Sequence, residues 1–319
     1  MMEPVRPIAS EDIDQARARI AGTVLRTPLV KLDLGGGEAD IYLKLENLQP
    51  TNAYKIRGAA NAVASLSDAE RARGVWTISA GNAGQGVAYA ARQFGIPCSV
   101  VAIETAPQTK LDRMRALGAA IVPVSYDDAW KAAETHTFEG LDGTFIHPFD
   151  NHDFIAGHAT MGLEILEDLP DVKTVITAIG GGGLITGVGS AIKAHRPGVT
   201  VLGAEPETAA PFALSFREGG PRKFPDWKAS FVDGAGGKSV TERMWQRMRP
   251  VTHGTITVTL DQTRDAMRVI AEKTRTIAEG AGALALAAAL TGQAGEGPIV
   301  CIVSGGNIDL AKFAELVAP

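Results

Sequence analysis

The sequence has only two cysteines, Cys98 and Cys301, each inside an apolar run, and no CxxC spacing. That excludes a disulfide framework and points to buried thiols in a reducing compartment. Basic residues form no block: 31 Lys and Arg stand against 36 Asp and Glu, for a net charge of −5. Nucleic acid is therefore not an expected partner, because phosphate backbones are held by clustered Lys and Arg. The six histidines show neither HExxH nor a paired helical spacing, which argues against catalytic zinc. The longest apolar stretch, Ala281 to Leu290, is too short to span a bilayer. Met1 to Asp14 carries acids and lacks an apolar core, so it does not read as a secretory signal. A cytoplasmic protein without a membrane partner is expected. No internal repeat, low-complexity tail or Pro/Gly/Ser linker divides the chain, so solenoids and strings of consecutive domains drop out. With the chain given to Pro319, one catalytic-sized unit is expected and an appended regulatory module is not.

What is present is an ordinary globular composition, with 45% hydrophobic and 21% charged residues over 319 positions. That length suffices for two domains with a large buried core. Glycine is the excess: 36 residues, many in runs at apparent strand ends, where backbone must turn tightly or approach a ligand. Ser10, Glu11 and Asp12 read as a helix start with a side-chain cap and acids in the first turn, running to about Ile20. Beyond it, β-branched runs at Ile41–Leu45, Val75–Ile78, Cys98–Ile103, Ala120–Val124, Thr144–His147, Thr174–Ile179, Thr200–Ala204, Thr255–Thr259 and Ile299–Val303 read as strands. Amphipathic or Ala-rich segments such as Gln85–Phe94, Thr109–Leu117 and Thr263–Ile277 lie between them. Near-continuous apolar strands separated by helices predict an α/β fold of open, mainly parallel twisted sheets covered by helices.

Lys55 lies in Thr51-Asn52-Ala53-Tyr54-Lys55-Ile56-Arg57-Gly58-Ala59, between the strand ending at Leu45 and a helix expected from Ala59 to Leu66. In α/β sheets such junctions open onto the ligand crevice. A lone lysine there also reads as a solvated or salt-bridged side chain. Thr174–Ile179 runs into Gly180-Gly181-Gly182-Gly183-Leu184, and a helix follows through Ile192. Converging backbone N–H groups and a helix N-terminus make that an anion cradle; the plainer alternative is a tight turn, which does not require four glycines. The register fails the dinucleotide G-x-G-x-x-G, since the third position falls on Ile185 or Thr186, and the P-loop Gly-Lys-Ser/Thr is absent. A mononucleoside phosphate or phosphorylated cofactor fits better. Ser79-Ala80-Gly81-Asn82 and Ser304-Gly305-Gly306-Asn307 stand at two further strand ends, each placing a hydroxyl and an amide beside glycines.

These four stretches, in their order along the sequence and across nearly the whole chain, resemble the fold-type II pyridoxal-phosphate enzymes, whose architecture is that of the tryptophan synthase beta chain, close to serine/threonine dehydratases and serine racemase. The resemblance implies pyridoxal 5'-phosphate as cofactor and Lys55 as its Schiff-base and proton-transfer residue. It further implies Asn82 at the cofactor's 3-hydroxyl, Gly180, Gly181, Gly182, Gly183 and Leu184 at its phosphate, Ser304 at the ring nitrogen and Tyr54 beside the ring. Gly234 and the acid Glu279 match pocket positions, and the backbone of Ser79, Ala80, Gly81 and Asn82 would receive the substrate carboxylate. A large cofactor-binding domain of residues 1–73 and 152–319, a small inserted domain of 74–151, a homodimer and a small amino-acid substrate are expected.

The implied reaction is loss of the β-hydroxyl from threonine, serine or a related 3-hydroxy amino acid such as 3-hydroxyaspartate, giving a 2-oxo acid and ammonia. Ala80 stands where racemases carry a serine that serves the opposite face of the substrate, so racemisation should be weak. β-Replacement is a second enzymatic reading, which the tetraglycine loop and Arg57-Gly58-Ala59 disfavour. A non-catalytic amino-acid or nucleotide-binding module is a third, against which the failed nucleotide fingerprints count. Asn52 and Ala53 replace the usual Gly-Ser, Ala83 a histidine, and Gly157-His158-Ala159-Thr160 a Gly-Gln-Gly-Thr pattern; His158 is expected to pack its helix. The family's cation site falls on Glu205, Ala209 and Pro211, and proline offers no side-chain oxygen, so no tight structural metal is expected.

Overall fold

The structure is a computed structural model, describing residues 4–35, 40–106 and 108–318. Its strands are β1 (Leu29–Lys31), β2 (Ile41–Leu45), β3 (Val75–Ile78), β4 (Cys98–Ile103), β5 (Ala120–Val124), β6 (Thr144–Phe145), β7 (Thr174–Ala178), β8 (Thr200–Pro206), β9 (Gly254–Val258) and β10 (Ile299–Val303). They form a six-stranded sheet in the order β1-β2-β10-β7-β8-β9 and a four-stranded sheet in the order β5-β4-β3-β6. Every pairing is parallel except the antiparallel edge of β1 on β2. β7 and β10 are buried at every residue, the pattern of strands covered on both faces.

One core lies between the six-stranded sheet and the helices Leu260–Thr274 and Gly280–Leu290, through Leu43, Ile176, Cys301, Met267 and Leu284. On the other side Met161, Ile165, Ile185, Val188 and Ile302 pack together. A third cluster joins the four-stranded sheet to two helices that start at site residues, Lys55–Ala64 and Asn82–Gln93, through Ala59, Val63, Val87 and Val100. The apolar stretch at Ala281–Leu290 is a core helix of small residues, and Gly282 lets it meet the backbone of Gly305.

Several boundaries differ from the sequence expectation. The Lys55 helix starts at Lys55 itself, four residues before Ala59, and the helix expected from Gln85 starts at Asn82. Ser10 is the first helical residue, not a cap; Ala9 holds the cap position, and its N–H donates to Asp12 Oδ2 at 2.9 Å. β1 was not anticipated, because three residues are too short for alternation to register. Thr144–His147 shortens to two residues, because His147 Nδ1 accepts the N–H groups of Phe149 and Asp150 at 3.2 and 2.9 Å and turns the chain.

Candidate active site

Lys55 is the first residue of its helix, and two residues on Arg57 anchors that helix in the interior. The fully buried guanidinium donates to Glu46 at 2.8 Å from both Nε and Nη2, to Glu164 at 2.7 and 2.9 Å, to Thr160 and to the Leu25 carbonyl. Lys44 Nζ completes the network, 2.6 Å from Glu164. On the same helix Gly58 touches the Phe154 carbonyl, and Gly157 of the facing helix touches the Arg57 carbonyl; a Cβ at either would lie 2.5 or 2.3 Å from those oxygens. Across the other side Gly86 brings the Asn82–Gln93 helix against the Lys55 backbone.

The Lys55 amine donates to the Pro148 carbonyl at 2.7 Å and sits 5.2 and 5.5 Å from the Tyr54 and Phe154 ring centroids. This enclosure pushes its pKa down to about 7, since burial penalises the charged form. His158 is wholly buried behind both aromatic walls, 4.6 Å from the Tyr54 ring and 5.0 Å from Phe154. Neither ring nitrogen has a hydrogen-bond partner among the described residues, and burial holds the imidazole neutral. It packs the helix, as expected, and contacts Lys55's walls rather than open space.

Three loops converge around this amine. Gly182 adopts φ +89° and precedes the helix Gly183–His195. Ile179 donates its N–H to Ala204 and Thr186 to Gly182, and the backbone N–H groups between them have no partner among the described residues. The glycines are demanded from beneath: a Cβ would meet the Gly234 carbonyl at Gly180, the Phe149 ring at Gly181 and Met248 at Gly182. Close packing on one side thus leaves a row of free donors on the other, at a helix N-terminus.

Around Asn82, Ser79 Oγ accepts the Gly81 N–H at 3.1 Å, and Gln85 N–H goes to Gly81. The N–H groups of Ala80, Asn82, Ala83 and Gly84 are left without partners among the described residues, a second anion cradle. Asn82 Nδ2 donates to Glu279 Oε1 at 2.6 Å, and Asn82 Oδ1 accepts from Asn307 Nδ2 at 2.8 Å. Burial first, and Asp233 second, raise Glu279 to about 7. The third loop is stitched to the lysine segment: Tyr54 N–H donates to the Ser304 carbonyl at 3.0 Å, and Gly306 N–H to Asn52 at 2.9 Å. Ser304 is buried and its hydroxyl reaches the Ala281 carbonyl at a long 3.4 Å. Gly234 lies beside Ala281 and Glu279.

Pro148 and Phe149 were not among the sequence candidates, and Asn307 was noted only as the amide of its loop, without a role. Asn307 ties its loop to Thr51 and Asn82; Pro148 and Phe149 act through a carbonyl and a packing ring, which leave no motif. Glu205, first in the cation-site pattern, caps the helix that begins at Pro211: its oxygens accept the N–H groups of Phe212 and Ala213 at 3.0 and 2.7 Å. Burial raises it to about 8. Among the described residues no cluster of His, Cys, Asp or Glu could hold a metal, and no helix is long and apolar enough to cross a membrane.

Comparison with known proteins supports the same reading. The sequence model of the family described as "Pyridoxal-phosphate dependent enzyme" matches residues 20–305. The L-threonine ammonia-lyase of Thermotoga maritima is 41% identical over 317 residues, covering 97% of this chain and 78% of that protein. Maize serine racemase superposes with a TM-score of 0.88 at 32% identity, covering 98% and 97% of the two chains. The processed threonine deaminase isoform 2 of Solanum lycopersicum superposes at 0.85 with 31% identity, covering 99% and 96%.

Proposed function

This chain belongs to the pyridoxal-phosphate-dependent enzyme family, and on that premise we propose that it is an ammonia-lyase, removing the β-hydroxyl and the amine of L-threonine, L-serine or a related 3-hydroxy amino acid. The residues fit the cofactor. The partnerless N–H row from Gly180 to Leu184, with a helix N-terminus behind it, suits a phosphate. Lys55 offers the amine that the cofactor's carbonyl requires, Ser304 a hydroxyl for the ring nitrogen, and Asn82 an amide for the ring hydroxyl. Tyr54 and Gly234 would flank the ring, and Glu279 would border it. When bound, pyridoxal phosphate supplies a conjugated ring that takes up the electron pair left at the α-carbon.

The chain's own residues do the rest. The N–H groups of Ala80 and Asn82, freed by the helix start, hold the substrate carboxylate. Lys55, at a pKa of about 7, is substantially neutral near pH 7 and takes the α-proton. Ser304 presents a hydroxyl rather than a carboxylate, so it would offer the cofactor's ring nitrogen a hydrogen bond and no full proton, which would favour prompt loss of the β-hydroxyl. Ala80 puts a methyl where a second acid/base would stand, which supports elimination over racemisation. In this reading residues 1–73 and 152–319 form the large domain and 74–151 the small one.

The observation that carries the proposal is the half-buried Lys55 amine, bonded to Pro148 beside the Phe149 ring that underlies Gly181 and on a helix that touches the Asn82 helix at Gly86, with partnerless N–H groups in both of those loops. The test is ammonia release from a panel of 3-hydroxy amino acids, alongside the visible band of the purified protein. Ammonia release without added thiol separates elimination from replacement. A band that persists in Lys55→Ala would remove that lysine from its assigned role.

A further inference from the structure

The Asn82 side chain belongs to a run of hydrogen bonds that crosses repeatedly between elements packed on the two sheets. It begins on the helix Gln108–Ala116, which Leu111 and Met114 root in the core of the four-stranded sheet. Arg113, exposed between them, donates from Nη1 to Asn307 Oδ1 at 2.9 Å. Asn307, in the loop after β10, is buried, and its Nδ2 donates twice, to the Thr51 carbonyl and to Asn82 Oδ1, each at 2.8 Å. Asn82 Nδ2 in turn donates to Glu279 Oε1 at 2.6 Å. Gly305 leaves the room for that last contact: a Cβ there would lie 2.5 Å from Glu279 Oε1 and 3.2 Å from Asn82 Nδ2.

The run has one sense throughout. A guanidinium only donates and a main-chain carbonyl only accepts, so Arg113 and Thr51 together leave the Asn307 amide a single orientation. Asn307 therefore turns an N–H to Asn82, Asn82 answers with its oxygen, and Asn82 Nδ2 is left for the side on which Glu279 stands. Glu279 could not impose this sense by itself. Burial first, and Asp233 second, raise it to about 7, against the bond from Asn82 and the charge of Lys110, which lower it; Lys110 is itself bonded to Asp233 at 2.8 Å. Near neutral pH such a carboxyl is as ready to donate as to accept, whereas carbonyls and guanidiniums keep their roles. The fixed reference comes from the side of Asn307.

We propose that Asn307 is a positioning residue of this site: held by the Thr51 carbonyl and by Arg113, it fixes the sense of the Asn82 amide, so that the cofactor's ring hydroxyl is offered a donor and not an acceptor. The proposal rests on the pyridoxal-phosphate reading and deepens it. A hydrogen bond donated to that oxygen favours its deprotonated form. Asn307 acts only through Asn82 and touches no reacting atom.

The experiment records the visible spectrum of the holoenzyme and its variants from mildly acidic to mildly alkaline pH, each compared with wild type at the same pH. Asn307→Asp keeps the side chain's shape but, when ionised, offers only acceptors. Its band should move to the shorter wavelength of the protonated ring oxygen and return in acid, where the introduced carboxyl takes up a proton and donates again. Asn307→Ala should move the band without that return. Arg113→Leu should move it the same way in smaller measure, since Thr51 still holds Asn307, and Arg113→Lys, which still donates, should restore it. In the cofactor-free protein a double-mutant cycle of Asn307→Ala and Asn82→Ala should show a coupling of at least about fivefold in the unfolding equilibrium constant. Bands unmoved in all of these variants, the same pH profile for Asn307→Asp and Asn307→Ala, or additive effects in the cycle overturn the proposal. If wild type shows no visible band the cofactor reading fails instead, and the cycle still decides whether Asn307 holds Asn82.

Discussion

Replacing Lys55 by Met in the cofactor-free protein should stabilise it, by an amount that depends on pH in a defined way. The Lys55 amine has a pKa lowered from 10.5 to about 7 because burial disfavours its charge. Between those values the unfolded chain binds a proton that the folded chain does not, so stability rises with pH across the window. The difference of 3.5 units, at 1.36 kcal/mol per unit, sets a ceiling of about 4.8 kcal/mol. Lys55 is only half-buried, and the Met variant also loses the bond to Pro148, so roughly 2–4 kcal/mol is expected after screening by water in the cleft. The penalty is fully present below pH 7 and fades toward pH 10.5. Urea midpoints of wild type and Lys55→Met, measured from pH 6 to 10.5 and compared as a difference, cancel the other groups that titrate there. A difference that stays flat across the window would refute the idea that the fold holds this amine against its charge.

Four further outcomes are expected. Arg57→Leu should cost about 3–5 kcal/mol in denaturant unfolding, because it strands Glu46 uncompensated in the interior; Arg57→Lys, lacking the fork, should restore little. Gly182→Ala forces a side chain into φ +89° and against Met248, about 1–3 kcal/mol of strain, and should weaken cofactor retention about tenfold by equilibrium dialysis; undiminished retention would contradict the phosphate assignment. Glu279, raised from 4.5 to about 7, binds its proton more readily folded than unfolded, so stability falls as pH rises through that window. Glu279→Gln should therefore gain on wild type from pH 4.5 to 7, by at most about 3 kcal/mol, in cofactor-free unfolding curves. Ala80→Ser restores a hydroxyl on the opposite face of the substrate and should raise serine racemisation relative to ammonia release about tenfold or more by chiral chromatography; no racemisation at all would remove Ala80 as the reason for the bias.

The glycine loops and Lys55 were legible because each is a local signal: a strand end, a run of small residues, a helix start. So was the α/β class, since β10 is apolar throughout and β7 is β-branched or apolar at every position. What escaped were contacts with no local signature. Pro148 serves the lysine through a carbonyl that any residue could supply, and Phe149 supports the tetraglycine loop by shape. The helix at Lys55 begins four residues early because its start is set by tertiary contacts of Ile56 and Arg57, not by a capping residue: Tyr54 makes no side-chain cap. His147 and His136 meet only because β6 ends early and the helix Tyr126–Thr135 stops at a left-handed residue.

The Gly58, Gly157 and Gly86 contacts have a consequence for precision. Lys55 is located by backbone touching backbone on two sides, with no rotamer interposed. A side chain between two helices acts as a compliant spacer whose thickness varies with each rotation; bare backbone acts as a gauge block. The reach of the amine is therefore calibrated by covalent geometry, and mutational drift in the surrounding loops can reshape what enters the cleft without resetting the position of the amine.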